Sequence, residues 1–354
     1  MALTFAAMFA VCAPAQAQAQ SVAPAITAEG VQFVTAEGQP IVLRGVDVGY
    51  QSRYYTRVPD FGANFARIRV LWSKIEPQRN VFDESELTRL DQVVQTMNAQ
   101  HVAVELDLRG SPTPSWFDPK GFWRVNAAAS HAAYRPFVRE IVERYDQYPY
   151  VIGFGIYNEP HTFTPIGLGT HRLDQTMLHW QASIRNEILN IDPSRLVFFN
   201  IRGGNYGIKH ADFKAAGFRL KHVVYDWHSF YNGAFGSGFD KANDNWIPGW
   251  PQTHNQRSTS YEGTKQNQWL NFDIAWKRTH LIGIPMIVGE WGVRNDDTGR
   301  DVYDQQMGAI FAKTGASFAR WAIDGSKMGL MKGRDLNDQG QWLAQFIQSQ
   351  NNGD

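Results

Sequence analysis

The sequence predicts an α/β protein folded as a (β/α)8 barrel with an N-terminal β-hairpin cap. Three observations carry this reading. Eight short, nearly continuous apolar runs recur along the 354 residues, and such runs suit parallel strands buried on both faces. Amphipathic helical stretches separate most of them. No Ser/Gly tether or long charge run divides the chain, so one domain is expected, at a length that barrels with elaborated loops reach.

Residues 1–20 read as a leader. Ala2–Cys12 is a short apolar run, and small-x-small sites follow at Ala15-Gln16-Ala17 and Ala17-Gln18-Ala19. That is the pattern of a secretory signal peptide, although no Lys or Arg precedes the run. The run is too short for a transmembrane helix, which needs about 20 apolar residues. Cys12 is the only cysteine and lies in this leader. Residues 21–354 are therefore expected to form one secreted or periplasmic domain without disulfide, thiol chemistry or membrane anchor.

Gly30–Gly45 reads as a hairpin, with Val31–Val34 and Ile41–Leu43 joined by a turn at Glu37-Gly38. The strands of the barrel follow at Gly45–Val48, Phe65–Leu71, Val102–Leu108, Val151–Tyr157, Leu196–Asn200, His222–His228, Pro285–Glu290 and Phe318–Ile323. Helices are expected at Glu84–Asn98, Ser130–Tyr145, His171–Ile191, Thr264–Leu281, Arg300–Ala312 and Gln339–Gln348. Glu84–Asn98 is typical, with Leu87, Leu90, Val93, Val94 and Met97 on one face. Weaker helical patterns lie near Ser52–Phe61 and Ile208–Ala215. A doubly wound open sheet would usually carry a Gly-rich phosphate loop after its first strand, and Gly45-Val46-Asp47-Val48-Gly49 is not one.

Lys plus Arg equals Asp plus Glu at 34 each, which argues against a nucleic-acid partner and against a polybasic membrane anchor. The 12 Trp fit either a large core or stacking platforms for the apolar faces of sugar rings. No His-Glu-x-x-His and no cysteine ligands are present, so no metal and no cofactor is expected. No Gly-x-Ser-x-Gly elbow appears, which disfavours a Ser-His-Asp hydrolase.

Barrel active sites sit at the C-terminal ends of the strands. Polar residues there include Asp47, Arg69, Asp107, Arg109, Asn158, Glu159, Asn200, Arg202, His228, Tyr231, Glu290, Trp321 and Asp324. Glu159 and Glu290 each end a buried apolar strand, where a carboxylate is costly unless paired or functional. Strands four and seven face each other across a barrel mouth. Two opposed carboxylates are what glycoside hydrolysis requires, one to protonate the leaving oxygen and one to attack the anomeric carbon. Either Glu alone also fits a helix cap or an ion pair.

Taken together these segments resemble glycoside hydrolase family 5, from about Gly30 to Gln348. The segments are Leu43-Arg44-Gly45-Val46-Asp47, Arg67-Ile68-Arg69-Val70, Asn158-Glu159-Pro160, His228-Ser229-Phe230-Tyr231, Glu290-Trp291-Gly292 and Trp321. The resemblance implies Glu159 as acid/base and Glu290 as nucleophile of a retaining β-glycosidase. It also implies a substrate-binding set of Arg69, Asn158, His228, Tyr231, Trp321, Arg109 and Trp291. Within that set Arg69 would hold Glu290 ionised, Asn158 would bind the sugar 2-hydroxyl and Tyr231 would orient Glu290. His228 would bind substrate or tune Glu159, and Trp321 would stack under the sugar. One departure stands out: the family usually has His where Arg109 stands in Asp107-Leu108-Arg109-Gly110. Arg109 is then expected to pair with Asp107 or Glu159, or to contact an anionic or unusual sugar.

The expected partner is a β-linked oligo- or polysaccharide, glucan, mannan or a related glycoside, acted on by a monomer. A non-catalytic carbohydrate-binding protein and a transglycosidase on the same barrel are the alternatives. The stretches Phe230–Thr264 and Gly110–Asn126, the latter with Trp116 and Trp123, are candidate cleft walls.

Overall fold

The structure, a computed structural model, describes residues 22–110, 112–117, 127–159, 170–200, 213–214, 217–230, 272–273, 275–296, 300–325 and 327–352. Three short strands come first: β1 (Ile26–Glu29), β2 (Gln32–Thr35) and β3 (Pro40–Ile41). Their antiparallel order is β1-β2-β3. The expected hairpin is β2 with β3, turning at Gly38 with φ 77°; β1 adds a strand the sequence reading did not foresee.

Eight parallel strands then close into a barrel. They are β4 (Arg44–Gly49), β5 (Phe65–Leu71), β6 (Ala103–Arg109), β7 (Val151–Ile156), β8 (Leu196–Phe199), β9 (Val223–Phe230), β10 (Met286–Gly292) and β11 (Ser317–Arg320). Each pairs with the next in the chain, and β11 returns to β4. All eight expected strands are present, with ends shifted by a few residues.

Around them lie α1 (Trp72–Ile75), α2 (Glu84–Ala99), α3 (Ala127–Tyr145), α4 (Thr170–Ile191), a helical stretch at 275–282, α5 (Arg300–Thr314) and α6 (Asp338–Asn352). Helix α2 starts where Asp83 accepts from the Ser85 and Glu86 N–H groups, satisfying donors that a first turn leaves unpaired. Its five apolar residues at helical spacing are all fully buried. The weak pattern near Ser52–Phe61 forms a 3-10 helix, Tyr55–Phe61, with Pro59 inside it and Gly62 ending it in the left-handed region.

Alternation along the strands sorts the side chains. Outward residues such as Val46, Ile68, Val70, Val104 and Leu106 pack in the main core under the helices. Inward residues at the N-terminal ends, including Phe65, Ala103, Ile152, Leu196, Val224 and Ile287, form a second apolar cluster. Ile26 and Phe33 of the small sheet join it, so that sheet stoppers the base of the barrel. Residues 1–20, all of the expected helix near Ile208–Ala215 but the helical pair 213–214, Arg202, Tyr231, Trp123 and the stretch 231–264 lie outside the described residues.

Candidate active site

Two residues above the apolar base, the interior turns charged. Phe65, Ala103 and Val224 give way, at period two, to Arg67, Glu105 and Asp226, and these to Arg69, Asp107 and His228. Arg67 is the hub. Its Nη1 lies 2.6 Å from Glu290 Oε1, 3.1 Å from Asp107 and 3.2 Å from Asp47, its Nη2 3.1 Å from Asp226, and its Nε 3.4 Å from Glu105. Five carboxylates thus surround one guanidinium at 1% exposure. Burial pushes Glu105 well above the usual carboxyl range. It also pushes Asp47 up to about 7, against the pull of Arg69 and Arg109. Both shifts favour the protonated carboxyl.

Glycines make room for this layer. A Cβ on Gly289 would lie 2.0 Å from Asp226 Oδ1, and one on Gly155 would lie 2.8 Å from Glu105 Oε1. At Gly289 the β9–β10 register also slips: Val288 faces Trp227, but Glu290 faces His228. This irregularity turns Glu290 into the barrel beside His228. The next residue, Trp291, points the other way. It is fully buried in the helix layer against Tyr303, Phe311, Phe318 and Trp342, with Arg320 over its ring. The expectation of Trp291 as a substrate contact is therefore corrected; its neighbour faces the cleft and it cannot.

On the opposite wall the chain leaves β7 through Tyr157 and Glu159, both at positive φ, 49° and 45°. Such conformations in non-glycine residues concentrate at functional sites. The Glu159 N–H donates to Asn200 Oδ1 at 3.0 Å. Asn158 Oδ1 accepts from Arg67 Nη2 at 2.8 Å, which leaves its amide NH2 as the remaining donor. His228 sits between the two glutamates. Its Nδ1 is 2.8 Å from Glu159 Oε1 and 3.7 Å from Glu290 Oε2, and its Nε2 is 3.2 Å from Asp226 Oδ2. Burial would lower the His228 pKa, but Glu290, Asp226 and Glu159 outweigh it and raise it well above the usual value. Burial would likewise raise Asp226, yet His228 and Arg67 hold it below its usual range. Both imidazole nitrogens therefore face carboxyl oxygens as donors.

The family resemblance implies that Arg69 holds Glu290, and the structure corrects this. Arg67 makes that bond, while Arg69 lies one layer nearer the mouth, 2.6 Å from Asp47 through Nε and paired with Asp324 through Nη2. Arg109 pairs with Asp107 at 2.6 Å, as expected, and its second partner is Glu290 rather than Glu159. Trp321 lies at the mouth, partly exposed, with the guanidinium groups of Arg69 and Arg109 at 4.7 and 4.8 Å from its ring centre. Trp116 packs edge-on against the buried Trp72 at 5.6 Å and donates to the Glu76 carbonyl at 3.1 Å, so it supports the wall from behind. Glu105 and Asp226 were missed, although each stands two residues before a polar residue already singled out. Among the described residues, Glu159, His228 and Glu290 are the one trio of His and acidic groups close enough to share a metal ion. The two guanidinium groups already on Glu290 oppose a divalent cation there.

The "Cellulase (glycosyl hydrolase family 5)" family model matches residues 34–327. The chain belongs to glycosyl hydrolase family 5. It is accordingly a glycoside hydrolase, and the eight-stranded barrel is that of its family relatives. The catalytic domain of the major endoglucanase of Xanthomonas campestris pv. campestris superposes with TM-score 0.62 at 16% identity, over 91% of this chain and 99% of that one. A hyperthermophilic endocellulase of Pyrococcus horikoshii gives 0.63 at 14% identity, over 92% and 99%. Endo-glycoceramidase II of a Rhodococcus species gives 0.63 at 16% identity, over 89% and 80%. At these identities the likeness speaks for the fold of this family 5 chain. A comparison with curated protein sequences gives no match.

Proposed function

We propose that the protein is a retaining glycosidase acting on β-linked glucan, mannan or a related β-glycoside, with Glu290 as nucleophile and Glu159 as acid/base. The observation that carries the reading is the spacing of the glutamates. One oxygen from each, together with a His228 ring nitrogen, all lie within 4.8 Å of one another. Retaining enzymes hold their carboxyl groups about 5–5.5 Å apart, whereas inverting enzymes need about 6.5–9.5 Å to admit a water.

In the first step Glu290 attacks the anomeric carbon as the bond to the leaving oxygen breaks, and Glu159 gives that oxygen its proton. In the second, water attacks the same carbon, its proton goes to Glu159, and the electron pair of the breaking ester bond returns to Glu290. His228 fixes the acid/base through its Oε1. Asn158, turned by Arg67, offers its NH2 to the sugar 2-hydroxyl, a contact that strengthens at the oxocarbenium-like transition state. Trp321 provides the apolar floor, and Tyr231 belongs to the proposed sugar-binding set. An endocellulase neighbour has been solved with cellotetraose, which supports a β-glucan as the first substrate to try. We also assign the protein, as a monomer, to the cell exterior or periplasm on the pattern of residues 1–20. Among the described residues no helix is long and apolar enough to cross a membrane.

The test is hydrolysis of a panel of aryl β-glycosides and β-linked polysaccharides by the mature protein, with Glu290→Gln alongside. Turnover of a panel member that drops about 10³-fold or more in the variant is the expected result. A variant as active as the wild type overturns the assignment of Glu290.

A further inference from the structure

We infer that Arg109 is a positioning residue which, with Arg67, locks one oxygen of Glu290 and selects the other, Oε2, as the attacking atom. The inference rests on the retaining-glycosidase reading above. Both guanidinium groups bond the same oxygen: Arg67 Nη1 lies 2.6 Å from Oε1, and Arg109 Nη2 is paired with Oε1 as well. Among the described residues Oε2 faces the edge of His228, whose Nδ1 is 3.7 Å away and turned to Glu159 at 2.8 Å. A carboxylate held by two cations on one oxygen has one orientation left, and Oε2 is the oxygen on the side of His228 and Glu159.

Arg109 is itself built in. Its Nε bonds Asp107 Oδ2 at 2.6 Å, its guanidinium lies against the Trp321 ring, and its side chain is only 13% exposed. Asp107 is also held by Arg67 at 3.1 Å. Arg67, Asp107, Arg109 and Glu290 thus close a four-membered ring of ion pairs, and the planar guanidinium spans two carboxylates at fixed geometry as an ammonium cannot.

The consequence falls on the second step. When water attacks the glycosyl-enzyme, the bond from the anomeric carbon to Oε2 breaks and its electron pair returns to Glu290 as a carboxylate. Arg109 and Arg67 stand on Oε1, where that returning charge spreads, so they stabilise the departing group. Without Arg109 the nucleophile is a poorer leaving group and the covalent intermediate persists.

The experiment is steady-state and stopped-flow kinetics of full-length mature wild type, Arg109→Gln and Arg109→Lys, with a panel of dinitrophenyl β-glycosides as probe. This leaving group makes the first step fast, so departure of Glu290 limits turnover. For Arg109→Gln the expected result is a kcat lower by about tenfold or more, the cost of losing one charged donor to a developing anion. KM falls alongside it, and the burst of about one dinitrophenol per active site, present already in the wild type, is followed by a slower steady state. Arg109→Lys, which keeps one cation but cannot bridge, retains more of kcat than Arg109→Gln. Loss of folded protein alone lowers the amplitude and leaves KM and the burst per active site unmoved. A kcat per active site equal to wild type, or a lower kcat with unchanged KM and no burst, overturns the inference while leaving the hydrolase reading intact. No turnover of any panel member by the wild type defeats that reading, and this inference with it.

Discussion

At the residue scale, the site is a problem of buried charge that Arg67 solves. Its guanidinium answers five carboxylates in the barrel interior, so removing it leaves several of them unpaired in a low-dielectric core. Arg67→Ala should lose about 3–5 kcal/mol of stability, by analogy with other broken buried pairs, measured by urea unfolding. Loss of less than about 1 kcal/mol would mean that protons, not Arg67, neutralise the cluster. Asp47 supplies a pH signature. Burial raises its carboxyl from 3.8 to about 7, against Arg69 and Arg109. The folded state therefore holds a proton there that the unfolded chain has already released, and stability from this group is lost as pH rises through that window. Relative to Asp47→Asn, the wild-type melting temperature should fall more steeply between about pH 4 and about pH 8. Parallel curves for the two proteins would contradict the placement of that proton.

At the element scale, the strands were legible and the layer each residue occupies was less so. Parallel strands covered on both faces need continuous apolar runs, and all eight stood out for that reason. Glu159 and Glu290 were legible because each closes such a run with a charge. Period two says which residues share a face, but the depth of each pair is set by the stagger of neighbouring strands. Arg67 and Arg69 share a face with Arg69 nearer the mouth, and which of them meets Glu290 depends on the stagger between strands, which sets Arg67 against Glu105 and Arg69 against Asp107. Trp291 was misread for a related reason: the slip at Gly289 settles which of Glu290 and Trp291 turns inward. The small sheet at the base has a separate job. Phe33 is 3% exposed and packs against inward residues of the barrel strands, far down the strands from Glu290. Phe33→Ala should cost about 3–5 kcal/mol of stability by opening a cavity there. Its kcat per folded molecule should equal that of the wild type; a fall in kcat at intact stability would mean that the stopper also shapes the cleft.

At the scale of the whole molecule, the barrel separates two tasks along one axis. The N-terminal ends of the strands carry an apolar plug, and the C-terminal ends carry ionisable groups that the plug and the helix layer hold in place. This division lets a single turn of sequence per strand, Asp47, Arg69, Arg109, Glu159, His228 or Glu290, reach one mouth without disturbing the core. The proposed retaining mechanism rests on the closeness of the two glutamates at that mouth. The most direct measurement is a proton NMR time course of hydrolysis of a β-glycoside that the protein turns over, recorded before the product mutarotates. The β-anomer of the released sugar is expected to appear first and to decay toward the equilibrium mixture. First appearance of the α-anomer would show inversion and contradict the roles given to Glu159 and Glu290.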